Sequence, residues 1–360
     1  MFVMISAFYI QNFKNFRELT IPQLKRINLI VGKNSVGKST LLEALALYLS
    51  EGEEYCLKDL LMGRGEDIPF GSQTEENQNQ VKERCLSLFH GWKEDYSKDF
   101  CIKLAEDIKN PVTIQQVYIS EGNALAVYHQ EDMDDTNSRL SVTTKGLKSI
   151  GSDGYFNLLR YDRPKQFTSK SYKRQPYLMV RTIDFESSTN ASLYDKITLS
   201  PLEDYIVKAL NIINVDIDRI TFVTEEMGGK YRIPVVSLKG SGQRVRLTSL
   251  GDGVNRVLTI ILSLLNCKDG VLLLDEFETG LHYSVQKQLW EVIFMLAEQL
   301  NVQVFVTSHS SDCLSAFSKV NVEGQGMLIR LEQRKNEIVP VCYIDNKDIA
   351  FAAENNIELR

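Results

Sequence analysis

The chain has 360 residues, of which 43% are hydrophobic, so it can bury one large core and leave material for a second lobe. Its formal net charge of −6 excludes a global positive field that would recruit nucleic acid, but not a local basic patch. The longest strongly apolar stretch, Val254 to Leu265, is too short to span a bilayer, and the N-terminus lacks the pattern of a signal peptide. We therefore expect a cytoplasmic protein without membrane contact, whose six cysteines are free thiols.

The first fifty residues predict two strands, a glycine-rich loop and a helix. Residues 4–10 and 27–31, separated by a turn near Asn15, have the alternation that is typical of antiparallel strands. A helix over residues 39–49 carries four leucines on one face. The loop between the second strand and the helix reads Gly32-Lys33-Asn34-Ser35-Val36-Gly37-Lys38-Ser39.

The middle of the chain, residues 51–229, predicts an inserted irregular α+β lobe. Its first half is polar and acidic up to residue 100, where we expect loop and mobile helix. Residues 101–130 are strand-like, with short strands expected at 112–114, 116–119 and 124–128, and residues 131–175 are rich in turns. Farther along the chain, the sequence predicts one helix at 202–213 and two strands at 220–223 and 231–238.

The last third of the chain has the sharpest pattern. Two wholly apolar strands, 271–274 and 302–306, are typical of parallel strands that are buried on both faces. Helices with apolar stripes flank them, at 254–265 and 285–300. A terminal hairpin and a helix follow at 327–331, 338–344 and 347–355, and we expect this tail to be free to dock a partner.

The glycine-rich loop matches the P-loop pattern and has the required strand before it and helix after it. Gly32 and Gly37 allow a tight turn that aims backbone N–H groups at phosphates. Lys38 is expected to reach the β- and γ-phosphates, and the Ser39 hydroxyl to ligate Mg²⁺. The residues expected to bind ATP here are Asn34, Ser35, Val36, Gly37, Lys38, Ser39 and Thr40.

Two carboxylates and a histidine follow the apolar strands. Asp275 is placed to hold Mg²⁺ beside the P-loop, and Glu276 to act as the general base that orients the attacking water. His309 follows the next strand and is expected to contact the γ-phosphate, although a histidine packed in the core is the alternative. His282 is either a residue of a subunit contact or an ordinary loop histidine.

A second phosphate cradle is predicted at Ser249-x-Gly251-x-Gly253, which opens a helix. A chain with one P-loop does not need two cradles for one nucleotide. We therefore expect this one to cap the γ-phosphate of ATP bound to a second subunit, in a homodimer or a higher homo-oligomer. The order of the P-loop, this motif, Asp275-Glu276 and His309 indicates an ABC-type ATPase.

The segment from Arg160 to Arg174 contains six basic residues, one acid and three aromatic residues. Basic residues interleaved with aromatics suit a nucleic-acid surface. A solvated loop is the simpler interpretation, so direct DNA binding stays an open alternative.

These motifs together resemble the ABC-type ATPases of the OLD (overcoming lysogenisation defect) and RecF-like group. The similar segments are Ile10 to Phe16, Ser249 to Arg256, Asp275 to His282 and Thr307 to Ser310. OLD nucleases carry a C-terminal TOPRIM domain with an Asp-x-Asp metal site, and the residues after His309 contain no such pattern. The resemblance therefore implies ATP chemistry but no nuclease activity in this chain.

The resemblance implies an α/β fold, an ABC-type P-loop NTPase with a mixed sheet. We expect a discontinuous ATPase head at 1–50 and 230–330, the inserted lobe, and a tail at 331–360. The resemblance further implies an ATP-hydrolysing switch in DNA processing or anti-phage defence that regulates or loads a separate effector, a TOPRIM-like or other nuclease.

Three alternatives to this function remain. A RecF-like repair ATPase would act directly on DNA. A GTPase would need an Asn-Lys-x-Asp motif, and the nearest sequence, at residues 346–349, ends in isoleucine. A transporter ATPase subunit fits the irregular middle of the chain poorly.

Gln115 and Gln116 are candidates for the glutamine that senses the γ-phosphate in ABC-type ATPases.

Overall fold

The computed structural model describes residues 3–62, 75–106, 111–121, 125–135, 143–150, 155–157, 176–181, 187–213, 216–224, 232–240, 242–321, 324–335, 337–343 and 345–354. The strands in these ranges are β1 (Phe8–Phe13), β2 (Phe16–Ile21), β3 (Ile27–Gly32), β4 (Cys101–Ala105), β5 (Val112–Glu121), β6 (Leu125–Tyr128), β7 (Thr143–Ile150), β8 (Tyr155–Asn157), β9 (Tyr177–Val180), β10 (Ile217–Thr224), β11 (Arg232–Leu238), β12 (Arg244–Arg246), β13 (Val271–Leu274), β14 (Gln303–Thr307), β15 (Gly326–Arg334) and β16 (Glu337–Tyr343). The helices are α1 (Lys38–Leu49), α2 (Glu54–Met62), α3 (Glu75–Leu86), α4 (Gln130–Asp135), α5 (Ser187–Asp195), α6 (Glu203–Leu210), α7 (Asp252–Asn266), α8 (Tyr283–Gln299), α9 (Ser311–Val320) and α10 (Asn346–Glu354).

The core sheet has six strands in the order β16-β15-β3-β14-β13-β9. The five strands from β15 to β9 run parallel, and β16 is added antiparallel at the edge, so the sheet is mixed. All residues of β3, β13 and β14 are buried, which explains their nearly continuous apolar sequences. The α/β fold of an ABC-type P-loop NTPase with a mixed sheet is thus confirmed.

Helices and a second sheet cover the two faces of the core sheet. On one face, α1 packs between the core sheet and an antiparallel sheet of order β2-β1-β4-β5-β7-β8, in which β6 also pairs with β5. On the other face, α5 to α9 form the second apolar cluster. Neighbouring residues of one strand serve different clusters, as Leu272 and Leu273 do, because side chains alternate across a strand. A third sheet, β10-β11-β12, packs beside α5 and α6.

Three sequence predictions are corrected by the strand pairing. The strand 27–31 is not the antiparallel partner of the first strand, because β1 pairs with β2 while β3 joins the core sheet. The two short strands expected within 112–119 form one continuous strand, β5. The terminal hairpin forms, but β15 also pairs with β3 in parallel, so this part of the tail belongs to the core and is not free.

The region 51–100, expected to be loop and mobile helix, contains α2 and α3 among its described residues. No helix of the described chain is both long enough and apolar enough to cross a bilayer.

Candidate functional site

The P-loop joins the end of β3 to the start of α1. Gly37 precedes the helix with φ 103°, and a Cβ there would lie 2.7 Å from the Asn15 Nδ2 atom, so no other residue fits without displacement. The Lys38 Nζ atom donates to the carbonyls of Gly32 (2.8 Å) and Lys33 (3.0 Å), which folds the side chain back across the loop. Burial lowers the pKa of Lys38, although nearby carboxylates favour its charged form.

Asp275 follows β13 and receives two hydroxyl hydrogen bonds. The Ser39 Oγ atom lies 3.0 Å from Asp275 Oδ1, and the Thr307 hydroxyl donates to the same oxygen. Thr307 can reach it because β14 lies between β3 and β13 in the sheet. Burial raises the pKa of Asp275, and the hydrogen bonds from Thr307 and Ser39 oppose this shift.

Glu276 has a left-handed backbone with φ 48°, an uncommon conformation for a non-glycine residue. Its amide donates to Thr307 Oγ1 at 2.9 Å, and its Oε2 atom lies 3.2 Å from the Thr279 hydroxyl. The buried Arg256 of α7 donates from Nη2 to the carbonyls of Asp275 (2.7 Å) and Glu276 (2.8 Å). These contacts hold the turn that aims the Glu276 carboxylate.

The Arg256 contact was not predicted from the sequence, in which Arg256 is only the last residue of a segment that resembles the OLD and RecF-like group. A charged residue at a buried helix position was the available signal, because a buried guanidinium needs acceptors.

His309 is half-exposed and is held by Glu278. Its amide donates to Glu278 Oε1 at 2.7 Å, and its Nδ1 atom lies 2.8 Å from the same oxygen. The ring is therefore oriented at the end of β14 and is not packed in the core. Glu278 was also missed; its only sequence signal is its position two residues after Glu276.

One cleft of about 1170 Å³ brings most of the predicted residues together. Asp275, Glu276 and His309 line it beside the P-loop residues Asn34, Ser35, Gly37, Lys38, Ser39 and Thr40. Val36 does not line the cleft. Its side chain is buried in the core, and a Cβ on Gly32 would lie only 3.0 Å from its Cγ1 atom.

The Ser249 motif lies outside this cleft. Ser249 and Gly251 are exposed, and Gly251 has φ 104° with open space where a Cβ would lie. A Cβ on Gly253 would lie 2.9 Å from the Gly280 carbonyl, so the motif packs against the turn that follows Glu278. The P-loop and the Ser249 motif are thus separate within a single chain.

Three other candidates have different places. The Nε2 atoms of Gln115 and Gln116 donate to the carbonyls of Lys98 (2.7 Å) and Lys93 (2.8 Å), and neither residue lines the cleft. His282 precedes α8 and its ring nitrogen accepts from the Ser284 amide. The basic segment from residue 160 to 174 lies outside the described residues.

The oxygen atoms of Ser39 and Asp275 fit a magnesium site. Mg²⁺ prefers oxygen ligands and is commonly held by one or two protein oxygens together with substrate phosphates. The 3.0 Å separation of these two oxygens at the end of the P-loop meets that requirement.

The family follows from a comparison with known families. The model of the AAA ATPase domain matches residues 4–149 and 130–314, which is most of the chain. The chain belongs to the AAA ATPase domain family.

Two curated proteins are similar in sequence. One is an ATP/GTP phosphatase of Helicobacter pylori, 24% identical over 98% of this chain and 100% of its own length. The other is an uncharacterized protein of Methanocaldococcus jannaschii, 45% identical over 17% of this chain and 31% of that protein.

Among solved structures, an Smc head bound to the C-winged helix domain of ScpA has a TM-score of 0.52 and 12% identity. The similarity covers 96% of this chain and 98% of that one. At this identity the similarity concerns the fold alone.

Proposed function

We propose that this AAA-family ATPase binds and hydrolyses ATP in the P-loop cleft and uses the cycle as a molecular switch. The observation that carries the proposal is the contact of Ser39 with Asp275, with Lys38, Glu276 and His309 lining the same cleft. P-loop lysine and serine, a carboxylate after the neighbouring strand and a candidate base are the parts that phosphoryl transfer to water requires.

Each residue has a proposed role. Lys38 exchanges its loop carbonyls for the β- and γ-phosphates and neutralises charge that develops on them. Glu276 accepts a proton from the attacking water while the Arg256 and Thr307 contacts fix its backbone. His309, oriented by Glu278, donates toward the γ-phosphate.

Magnesium belongs to the same proposal. When bound, Mg²⁺ would neutralise negative charge on the phosphate oxygens. Ser39 and Asp275 would hold it, and Thr307 would orient the Asp275 carboxylate for that purpose.

We propose further that two subunits enclose two ATP molecules. Ser249, Gly251 and Gly253 are exposed or half-exposed and do not line the chain's own cleft. An exposed motif at a helix N-terminus can bind the γ-phosphate on another subunit. Binding of the partner's nucleotide at this motif would then affect the position of Glu276 through the contact between Gly253 and the turn at Gly280.

The cellular role is proposed from the motif resemblance to the OLD and RecF-like group. In that role, the ATP-linked dimer regulates or loads a separate effector, a TOPRIM-like or other nuclease, in DNA processing or anti-phage defence. The RecF-like alternative, in which the chain acts directly on DNA, is favoured only by the basic and aromatic residues between 160 and 174. DNA binding that needs ATP and falls steeply with salt would support this alternative.

The central test is a hydrolysis assay on Lys38→Ala beside Lys33→Ala. Lys33 belongs to the same loop, but its side chain is exposed and does not line the cleft, so it is a matched control. We expect phosphate release to be abolished in Lys38→Ala and retained in Lys33→Ala. Full activity in Lys38→Ala would refute the proposed site. Because the Helicobacter pylori relative is an ATP/GTP phosphatase, GTP should be assayed in parallel.

A further inference from the structure

An exposed tryptophan lines the wall of the P-loop cleft. Trp92 is 64% exposed, whereas the second tryptophan of the chain, Trp290, is 0% exposed. Tryptophan is the largest aromatic side chain and is strongly buried on average, so a mostly exposed one beside a cleft suggests a ligand contact. No role proposed so far uses Trp92.

The turn that carries Trp92 has an unusual backbone. Gly91 and Trp92 both have left-handed backbones, with φ 70° and 57°. Such a conformation is an outlier for a bulky side chain, and strained residues of this kind recur at active sites and ligand contacts. The Trp92 amide donates to the Phe89 carbonyl at 3.1 Å, which closes the turn and directs the indole away from the core.

This turn is tied to the P-loop through the turn between β1 and β2. The Lys14 amide donates to the Leu88 carbonyl at 2.8 Å, and the His90 Nδ1 atom lies 3.0 Å from the Lys14 carbonyl. Asn15, the next residue, is the one that a Cβ on Gly37 would meet at 2.7 Å. One short layer of residues therefore separates the Trp92 turn from the loop that holds the phosphates.

The size of the cleft agrees with a second subsite. Pockets for small ligands typically measure about 300–1000 Å³. The cleft measures about 1170 Å³ and extends from Lys38 to Trp92. It is therefore larger than a triphosphate chain alone requires, and a nucleoside can lie beyond the P-loop within it.

We propose that Trp92 is the stacking platform for the nucleobase of the bound nucleotide. The inference rests on the proposed nucleotide function of the P-loop. Stacking uses the π-face that every base has and reads no base edge, so the Trp92 contact by itself does not distinguish adenine from guanine.

Tryptophan fluorescence tests the contact directly, because only Trp92 and Trp290 contribute to it. A base stacked on an indole quenches its emission, and the buried Trp290 cannot be reached. Addition of ATP or GTP to the wild-type chain should quench the exposed component of the emission. Inorganic tripolyphosphate should bind without this quenching, and Trp92→Phe should lose the response.

Affinity measurements test the contact between Trp92 and the base in a second way. Trp92→Ala should weaken binding of ATP and GTP roughly tenfold or more, and Trp92→Phe should recover most of the loss. Binding of tripolyphosphate should be unchanged in both variants. Tyr55→Ala is the matched control, because Tyr55 is also exposed, at 79%, but does not line the cleft.

The outcomes separate the two proposals. Wild-type protein that binds ATP without quenching, or Trp92→Ala that binds ATP as tightly as wild type, overturns the base platform and leaves the P-loop proposal intact. Trp92 would then be exposed for another reason, such as contact with a partner protein. Wild-type protein that binds neither ATP nor tripolyphosphate overturns both proposals.

Discussion

At the scale of single residues, the Glu276 carboxylate has the most direct proposed role. Glu276→Gln keeps the shape of the side chain and its contact distance to the Thr279 hydroxyl, but removes the base. We expect ATP binding to persist and hydrolysis to fall by about 10²-fold or more. Single-turnover phosphate release and equilibrium nucleotide binding measure the two effects separately.

The control for this variant is Glu298→Gln, an exposed position of α8 away from the cleft. Unchanged turnover in purified Glu276→Gln would show that another group accepts the proton. Lost nucleotide binding would instead indicate a structural role for the carboxylate.

Arg256 gives a prediction that combines stability and activity. Its replacement by alanine leaves the carbonyls of Asp275 and Glu276 without their charged donor in a buried region. We expect the free energy of unfolding to fall by about 2–4 kcal/mol. We also expect hydrolysis to fall by more than nucleotide binding, because the turn at Glu276 loses its fixed position.

Chemical denaturation and steady-state kinetics check this prediction, with Arg219→Ala as the control because that guanidinium is 87% exposed. Arg256→Lys keeps a charged donor on a differently shaped side chain and should lie between alanine and wild type. Wild-type stability of Arg256→Ala would contradict the proposed function of the contact.

Features formed by consecutive residues could be predicted from this sequence, whereas contacts between distant residues could not. The P-loop, β13 and α1 could be predicted because a motif or a burial pattern lies in consecutive residues. The hydrogen bond from Thr307 to Asp275 and the contact of Glu278 with His309 could not be predicted, because they depend on which strands are neighbours. Strand order is set by packing of the whole sheet, for which a single sequence carries only a weak signal.

At the scale of elements, the start of α7 is the proposed contact with a second subunit. Ser249→Arg places a long cation in the exposed cradle without entering the chain's own cleft. We expect ATP binding to be retained, while hydrolysis and ATP-dependent dimerisation are lost. Light scattering with ATP and Mg²⁺, in the Glu276→Gln background, measures the dimer.

Thr221→Arg is the matched control, because Thr221 is exposed on β10 and lies outside the proposed contact. A strictly monomeric, ATP-bound Glu276→Gln protein at high concentration would contradict the shared-nucleotide arrangement. Dimers without nucleotide, formed through another surface, would not contradict it.

At the scale of the whole molecule, the proposed role is that of a nuclease regulator. Phosphodiester hydrolysis of the TOPRIM type needs its own clustered carboxylates around metal ions. The Asp275 carboxylate is already assigned to the ATP site in our proposal. We therefore expect the purified chain to hydrolyse ATP and to leave plasmid and linear DNA intact in Mg²⁺ or Mn²⁺.

Gel analysis of both DNA substrates, with and without ATP, measures this outcome. Asp275→Ala distinguishes a contaminating or separate nuclease from the ATP site. Cleavage that survives this substitution and co-purifies strictly with the chain would show a second metal site.

The division into a discontinuous head, an inserted lobe at 51–229 and a tail stays a prediction that domain deletion can test.

The position of β3 in the core sheet has a consequence for synthesis of the chain. Both neighbours of β3 come from late in the sequence, since β14 begins at Gln303 and β15 at Gly326. At usual translation rates, the P-loop strand leaves the ribosome on the order of 15–50 s before its first partner. Until then, β3 lacks both of its neighbours in the core sheet, and Asp275 lacks the strand that places it beside Ser39. A nascent chain that ends before β14 should therefore be inert toward ATP, and the proposed ATP site forms only after β14 and β15 have been made.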